Sequence, residues 1–192
     1  MSTPQRSTIH PLPGFRSQEV ASFIAQMDDQ SRLLADRIKD ITPDELEWQP
    51  KPGMNTIGML LAHLAIVEAW WTCLVVKGEA DAKGEPIIGI GWDDDGMPIA
   101  EEAQPPANLA GKNLAYYTDL MRKARAFVTD AAKGVPDSDL EREITRKRPD
   151  GTERVLNVRW YFYHILEHFS GHFGQVLLLR HLYRTAQVPA KT

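Results

Sequence analysis

Residues 57–76 run Ile-Gly-Met-Leu-Leu-Ala-His-Leu-Ala-Ile-Val-Glu-Ala-Trp-Trp-Thr-Cys-Leu-Val-Val, twenty positions with one imidazole and one carboxylate among mostly apolar side chains. The run is too long for an ordinary strand. Read as a helix from Ile57 to about Val76, it is apolar on most faces, so it must be buried on nearly all sides. Glu68 interrupts it, and no apolar stretch reaches the roughly 18 uninterrupted residues of a membrane span. The segment therefore reads as the core helix of a helical protein.

Three further helices are predicted to surround it. Ser17 caps one that runs to about Asp40, with Val20, Phe23, Ile24, Met27, Leu33, Leu34 and Ile38 at helical spacing. Thr42-Pro43-Asp44-Glu45-Leu46 opens a short turn of helix with proline at its first position. Asn108 to about Lys133 is a third long helix, ended by Gly134 and Pro136. Asn157 caps the last, Val158 to about Arg184. Residues 1–16 read as an extended arm. Residues 78–106, with five glycines, four prolines and Asp93-Asp94-Asp95, read as a long acidic crossover with little regular structure. Between 140 and 156, Glu143–Arg146 and Glu153–Leu156 flank Pro149-Asp150-Gly151, a small hairpin before the last helix. The expected architecture is a single domain over 1–192, an all-α four-helix bundle.

The charge, 22 basic against 26 acidic residues for a net of −4, argues against a nucleic-acid or anionic-membrane surface. The Arg142–Arg148 cluster is diluted by acids and reads as solvated. Cys73 is the only cysteine, so no internal disulfide can form, and its apolar helical setting suggests a buried inert thiol. The N-terminus lacks the apolar core of a signal peptide, and a reducing cytoplasm is the expected compartment.

Chemistry concentrates in the histidines. His164, His168 and His172 follow one another at intervals of four, so neighbours sit one turn apart and two can reach one metal ion from a single helix. The outer pair, two turns apart, cannot easily join them. His63 is the one polar side chain in its apolar segment and is the natural third ligand from a second helix. Spacing alone leaves His164/His168 and His168/His172 open. Gly171 and Gly174 beside His172 suggest space for a ligand or a close backbone, which favours the second pair. No His-Glu-x-x-His and no paired Glu-x-x-His motif is present, so neither a zincin nor a di-iron bundle fits. Three neutral imidazoles leave a coordination position open, the arrangement of catalytic metals. Zinc, nickel, iron and manganese all suit imidazole.

Thr56–Leu64 with Glu68 and Trp70, and His168-Phe169-Ser170-Gly171-His172-Phe173-Gly174-Gln175, resemble the DinB/YfiT-like superfamily of metalloenzymes. The resemblance implies an up-down-down-up bundle whose metal ligands are His63, His168 and His172. It further implies S-transfer with a low-molecular-weight thiol such as bacillithiol or mycothiol, or a thiol-dependent isomerisation, and pairing as a homodimer. The competing readings are a non-catalytic metal-binding or stress-response bundle, its site closed by His164 or Glu167, and an interaction module whose histidines are satisfied core residues. Glu68 and Glu167 are candidates to orient imidazoles. Trp70, Trp71, Trp160, Tyr161 and Tyr163 read as core, Asp93–Asp95 as a solvated loop, and His10 and His181 as solvent-facing. Arg180 reads either as a carboxylate partner across the bundle or as a contact for an anionic substrate.

Overall fold

The computed structural model describes residues 7–79, 82–147 and 150–187. Four long helices form the bundle: α1 (Gln18–Ile38), α3 (Ile57–Trp71), α5 (Leu114–Lys133) and α6 (Val158–Ala186), with short helices α2 (Pro43–Glu47) and α4 (Glu85–Ile88) in the connections. An antiparallel hairpin, β1 (Glu143–Lys147) and β2 (Glu153–Asn157), precedes α6. The expected all-α bundle with a small hairpin is the fold observed. Arg148 and Pro149, in the basic cluster and the hairpin turn, lie outside the described residues, as does the start of the arm. Residues 7–16 contain no helix or strand, and Leu12 and Phe15 pack on the core.

The predicted caps Ser17, Thr42 and Asn157 act as such, and of Asn55 and Thr56, either of which could open the second long helix, Thr56 is the cap. Ser17, Thr42, Thr56 and Asn157 each accept a backbone N–H three residues on, satisfying donors that a helix start leaves unpaired. The third long helix differs. Asn113, not a residue near Asn108, is its cap. The Asn108 side chain instead donates to the Asp94 carbonyl at 2.9 Å, and Gly111 takes a positive φ between the two asparagines.

Pairs across the interfaces give the helix directions. Glu19 meets Arg159 and Asp40 meets Arg180, so α1 and α6 run parallel. Tyr117 closes on Gly58 and Arg125 on Glu68, so α3 and α5 also run parallel. His63 meets His168 while Thr72 meets Tyr161, so α3 and α6 are antiparallel. This is the up-down-down-up order, and the two parallel neighbours α3 and α5 require the long crossover between them. That crossover is more ordered than expected: it carries α4, and Ile88, Ile90, Asp95 and Leu109 are buried in it or at its end.

Every residue of α3 is buried except His63 and Trp70. Residues 57–76 are long and apolar enough by composition to cross a membrane, but an 18-residue window of that stretch is 78% buried by the rest of the fold, as a core helix is. After Trp71 the helix continues as a π-helical turn, Thr72–Val76. Two apolar clusters fill the bundle, one around Leu60, Leu61, Tyr117 and Phe169, the other around Trp71, Val128, Tyr161 and Phe162.

Candidate metal centre

His63 on α3 and His168 and His172 on α6 converge at mid-bundle, with one ligand-type atom from each within 4.8 Å of the others. The Nε2 atoms of His63 and His172 both stand 3.1 Å from Nε2 of His168. Nitrogens bound at roughly 2.0–2.1 Å around a tetrahedral ion lie about 3.3 Å apart. The spacing is that of a ligand set.

Proton counting points the same way. The Nδ1 of His63 lies 2.7 Å from Asp95 Oδ2, an acceptor, so with a neutral ring the proton sits on Nδ1 and Nε2 is a bare lone pair. The Nδ1 of His172 lies 2.8 Å from Gln175 Oε1 and is assigned in the same way. His168 Nε2 can donate to only one of the two bare nitrogens. With three neutral rings, at least one pair of lone pairs faces at 3.1 Å with no proton between. A set of core histidines satisfied by one another would not leave that contact; a shared cation resolves it.

The surroundings favour the neutral form of His168 and His172. Burial, with the neighbouring His172, His63 and His164, pushes His168 down to about 3, and burial lowers His172 as well. Metal ligation needs the unprotonated ring, so this electrostatic setting favours it. His164 is lowered by burial too, but it takes no part in the cluster. Its ring stacks on Trp160 at 4.4 Å, and its Nδ1 faces Glu167 at 3.3 Å. The structure thus brings together the second pair favoured by Gly171 and Gly174. A Cβ at either glycine would meet nothing within 4 Å, so space, and not a close backbone, is what they leave.

Several secondary expectations change. Glu68 orients no imidazole: it forms a two-point pair with Arg125, at 3.0 and 2.5 Å. Arg180 is a partner across the bundle, bonded to Glu45 and Asp40. The three consecutive aspartates have three different roles. Asp93 is exposed, and Asp94 accepts the Gly91 N–H at 2.7 Å. Asp95 is buried and holds His63 with one oxygen while the other accepts the Met97 N–H. Sequence reasoning missed Asp95 because an acidic run in a Gly/Pro-rich connection reads as solvated, and only the folded crossover shows which carboxylate turns inward. The following Gly96 has φ +70, and a Cβ there would lie 2.9 Å from Pro106; the turn that aims Asp95 needs glycine. Gln175 closes the quoted helix-six motif, yet nothing local marks its role. His10 and His181 are exposed as expected.

Of the aromatic residues expected in the core, Trp71 and Tyr161 are buried there and Trp70 and Trp160 pack against it, whereas Tyr163 is 52% exposed on the outer face of α6. Trp92, 40% exposed, stands against His63 with centroids 6.4 Å apart. Cys73 is buried, and burial with Glu79 nearby pushes its thiol up to about 11.

Compared with known proteins, residues 22–185 match the model of a family described as mycothiol S-transferase. No curated protein matches the chain.

Proposed function

The chain belongs to the mycothiol S-transferase family, and from that premise we propose that it is a metal-dependent S-transferase, folded as one domain, in which His63, His168 and His172 hold a single divalent transition-metal ion. The observation that carries the reading is the convergence of three Nε2 atoms with too few protons to satisfy one another. The donor set, three neutral nitrogens, suits zinc, nickel, iron or manganese.

When bound, such an ion supplies positive charge that favours the deprotonated form of a thiol in contact with it. The rest is the work of the chain. Asp95 and Gln175 fix the tautomers and orientations of His63 and His172. The two side chains that could have closed the fourth position, His164 and Glu167, face each other instead, which favours a catalytic over a purely structural centre. The nucleophile is not internal, because the single cysteine is buried and its thiol is held protonated. An external low-molecular-weight thiol, mycothiol by the family or a relative such as bacillithiol, would lose its proton to solvent. Its sulfur would form a bond to the electrophilic carbon, and the leaving group would depart with its electron pair. A cytoplasmic, reducing setting suits such a thiol. A homodimer is supported by one exposed face of α6, where Tyr163, Glu167, Ser170, Gly174 and Leu178 recur at helical spacing.

The test is metal content by mass spectrometry on untagged protein beside His168→Ala, followed by mass detection of thioether formed from mycothiol and chlorodinitrobenzene. About one equivalent of metal, lost in the variant, with metal-dependent conjugation by the wild type, is expected. No metal, and no thermal shift with zinc, nickel or manganese, would overturn the centre; metal without conjugation by any supplied thiol would leave the non-catalytic metal-binding reading.

A further inference from the structure

A cavity of about 260 Å³ lies between α1 and α5, with Phe169 of α6 as its third side. Leu34, Ile38 and Phe169 are buried and form its inner wall, while Ala35 and Arg122 are exposed and mark its mouth. Met121, Thr118, Ser31 and Arg125 complete the lining. His63, His168 and His172 are not among these residues, so the cavity is separate from the imidazole cluster.

The polar groups of the lining already have partners. Ser31 Oγ donates to the Met27 carbonyl at 3.0 Å, and Thr118 Oγ1 donates to those of Leu114 and Ala115 at 3.0 and 3.1 Å. A hydroxyl has one proton, so neither has a donor left for a ligand. Arg125 is held by Glu68 and, at 3.3 Å, by Asp28. Arg122 pairs with Asp119 at 2.6 Å, and the same carboxylate holds Lys123 at 2.8 Å. Three cations therefore stand beside three carboxylates. An entering anion would meet Glu68 and Asp28, an entering cation would meet the guanidinium groups, and either would lose its water without a partner. A neutral molecule avoids both costs.

We propose that this cavity is a ligand site and that it takes an uncharged aromatic molecule of about two fused rings. Carbon lines its inner part, where water finds few partners and apolar surface is favourably buried. An apolar cavity of about 150 Å³ holds benzene, so about 260 Å³ leaves room for a second ring. The space is too small for a partner helix, which is about 10 Å across. Arg125 lies 5.6 Å from the ring centre of Phe169, and an aromatic occupant, unlike an aliphatic one, shares that cation. Met121, unbranched and polarisable, adapts to the shape of the guest. The site requires neither metal nor thiol.

The full chain, carrying ¹³C-methyl methionine, is titrated with naphthalene and with 2-naphthoate, the same rings bearing a charge. Naphthalene is expected to shift the Met121 methyl signal, assigned by its loss in Met121→Leu, and to bind about tenfold more tightly than the naphthoate. Ala35→Phe places a ring in the mouth and should weaken naphthalene about tenfold, with wild-type helicity and metal content. Should that variant fail to fold, Thr118→Phe fills the cavity from α5 and should act in the same direction. A Met121 signal indifferent to naphthalene, equal affinity for the naphthoate, or binding that survives the filling substitution would each overturn the proposal. A Met121 signal that moves with protein concentration instead would assign this face to a second copy of the chain and would overturn it as well. His168→Ala should leave the titration unchanged, so failure of the S-transfer reading shows separately, as missing metal or missing conjugation.

Discussion

His63 and Glu68 are five residues apart on the same buried helix, and they settle their charge in opposite ways. Glu68 has its cation within the protein. Burial is the largest single influence and disfavours the Arg125 charge, but Glu68 together with Asp28, at 3.3 Å, outweighs it and raises the arginine. His63 has the reverse arrangement: a buried carboxylate, Asp95, on one side and two more imidazoles on the other, with no arginine or lysine among the described residues at hydrogen-bond distance in the cluster. A closed ion pair holds helices together. An acid backing three convergent imidazoles is the arrangement on which the proposed metal centre rests. The difference is legible only in which partner each side chain meets, since in sequence both are lone polar residues in an apolar run.

Substitutions should separate the two regions. The largest effect is expected for His168→Ala, which removes the central nitrogen: bound metal should fall from about one equivalent to a small fraction, read by mass spectrometry. Next, Glu68→Ala leaves Arg125 largely buried without its main partner, a loss of about 3–5 kcal/mol, seen as a drop of about 10 °C in Tm, with metal content per folded molecule unchanged. Loss of metal in Glu68→Ala at temperatures where it is folded would erase the distinction. Third, the metal-free protein should weaken with acid. His168 is held at about 3 in the fold by burial against about 6.5 when unfolded. The unfolded chain therefore binds the extra proton first, and stability falls as pH drops from about 6.5 toward 3, by up to about 1.4 kcal/mol per pH unit for that proton. Above pH 7 this contribution is flat, and His168→Phe should reduce the slope in a denaturant series. Fourth, Asp95→Asn keeps the shape at His63 but removes the charge, and metal affinity should fall about 10–100-fold. Gln175 is exposed, so Gln175→Ala should cost less than about tenfold by the same titration.

The helices were legible because their start signals are local. Serine, threonine or asparagine before an apolar period names a cap wherever the chain then goes. The exception shows the limit of that logic. Asn108-Leu109-Ala110 and Asn113-Leu114-Ala115 are the same tripeptide, and only the bond from Asn108 back to Asp94 decides that the second opens α5. The metal candidates were legible because imidazoles at intervals of four on one helix, with another in an apolar run, leave few alternatives. Their supports were not. Asp95 reaches His63 across 32 positions of connection, and Arg125 reaches Glu68 across 57. Periodicity carries no information over such distances. The tryptophan pair on the buried helix reads as core, and the run gives no sign that Trp70, unlike Trp71, is only partly buried.

The crossover that joins two parallel helices also supplies Asp95 and Trp92, and both rest on His63. One of its tethers to the bundle thus passes through the imidazole cluster, so an ion held there would be thermodynamically linked to opening of the segment. Filling the cluster should raise the free energy of local opening by RT ln(1 + [M]/Kd). The amide hydrogens of Gly91 and Met97, bonded to Asp94 and Asp95, would then exchange with solvent more slowly as metal is added. Their exchange rates would report occupancy of the cluster.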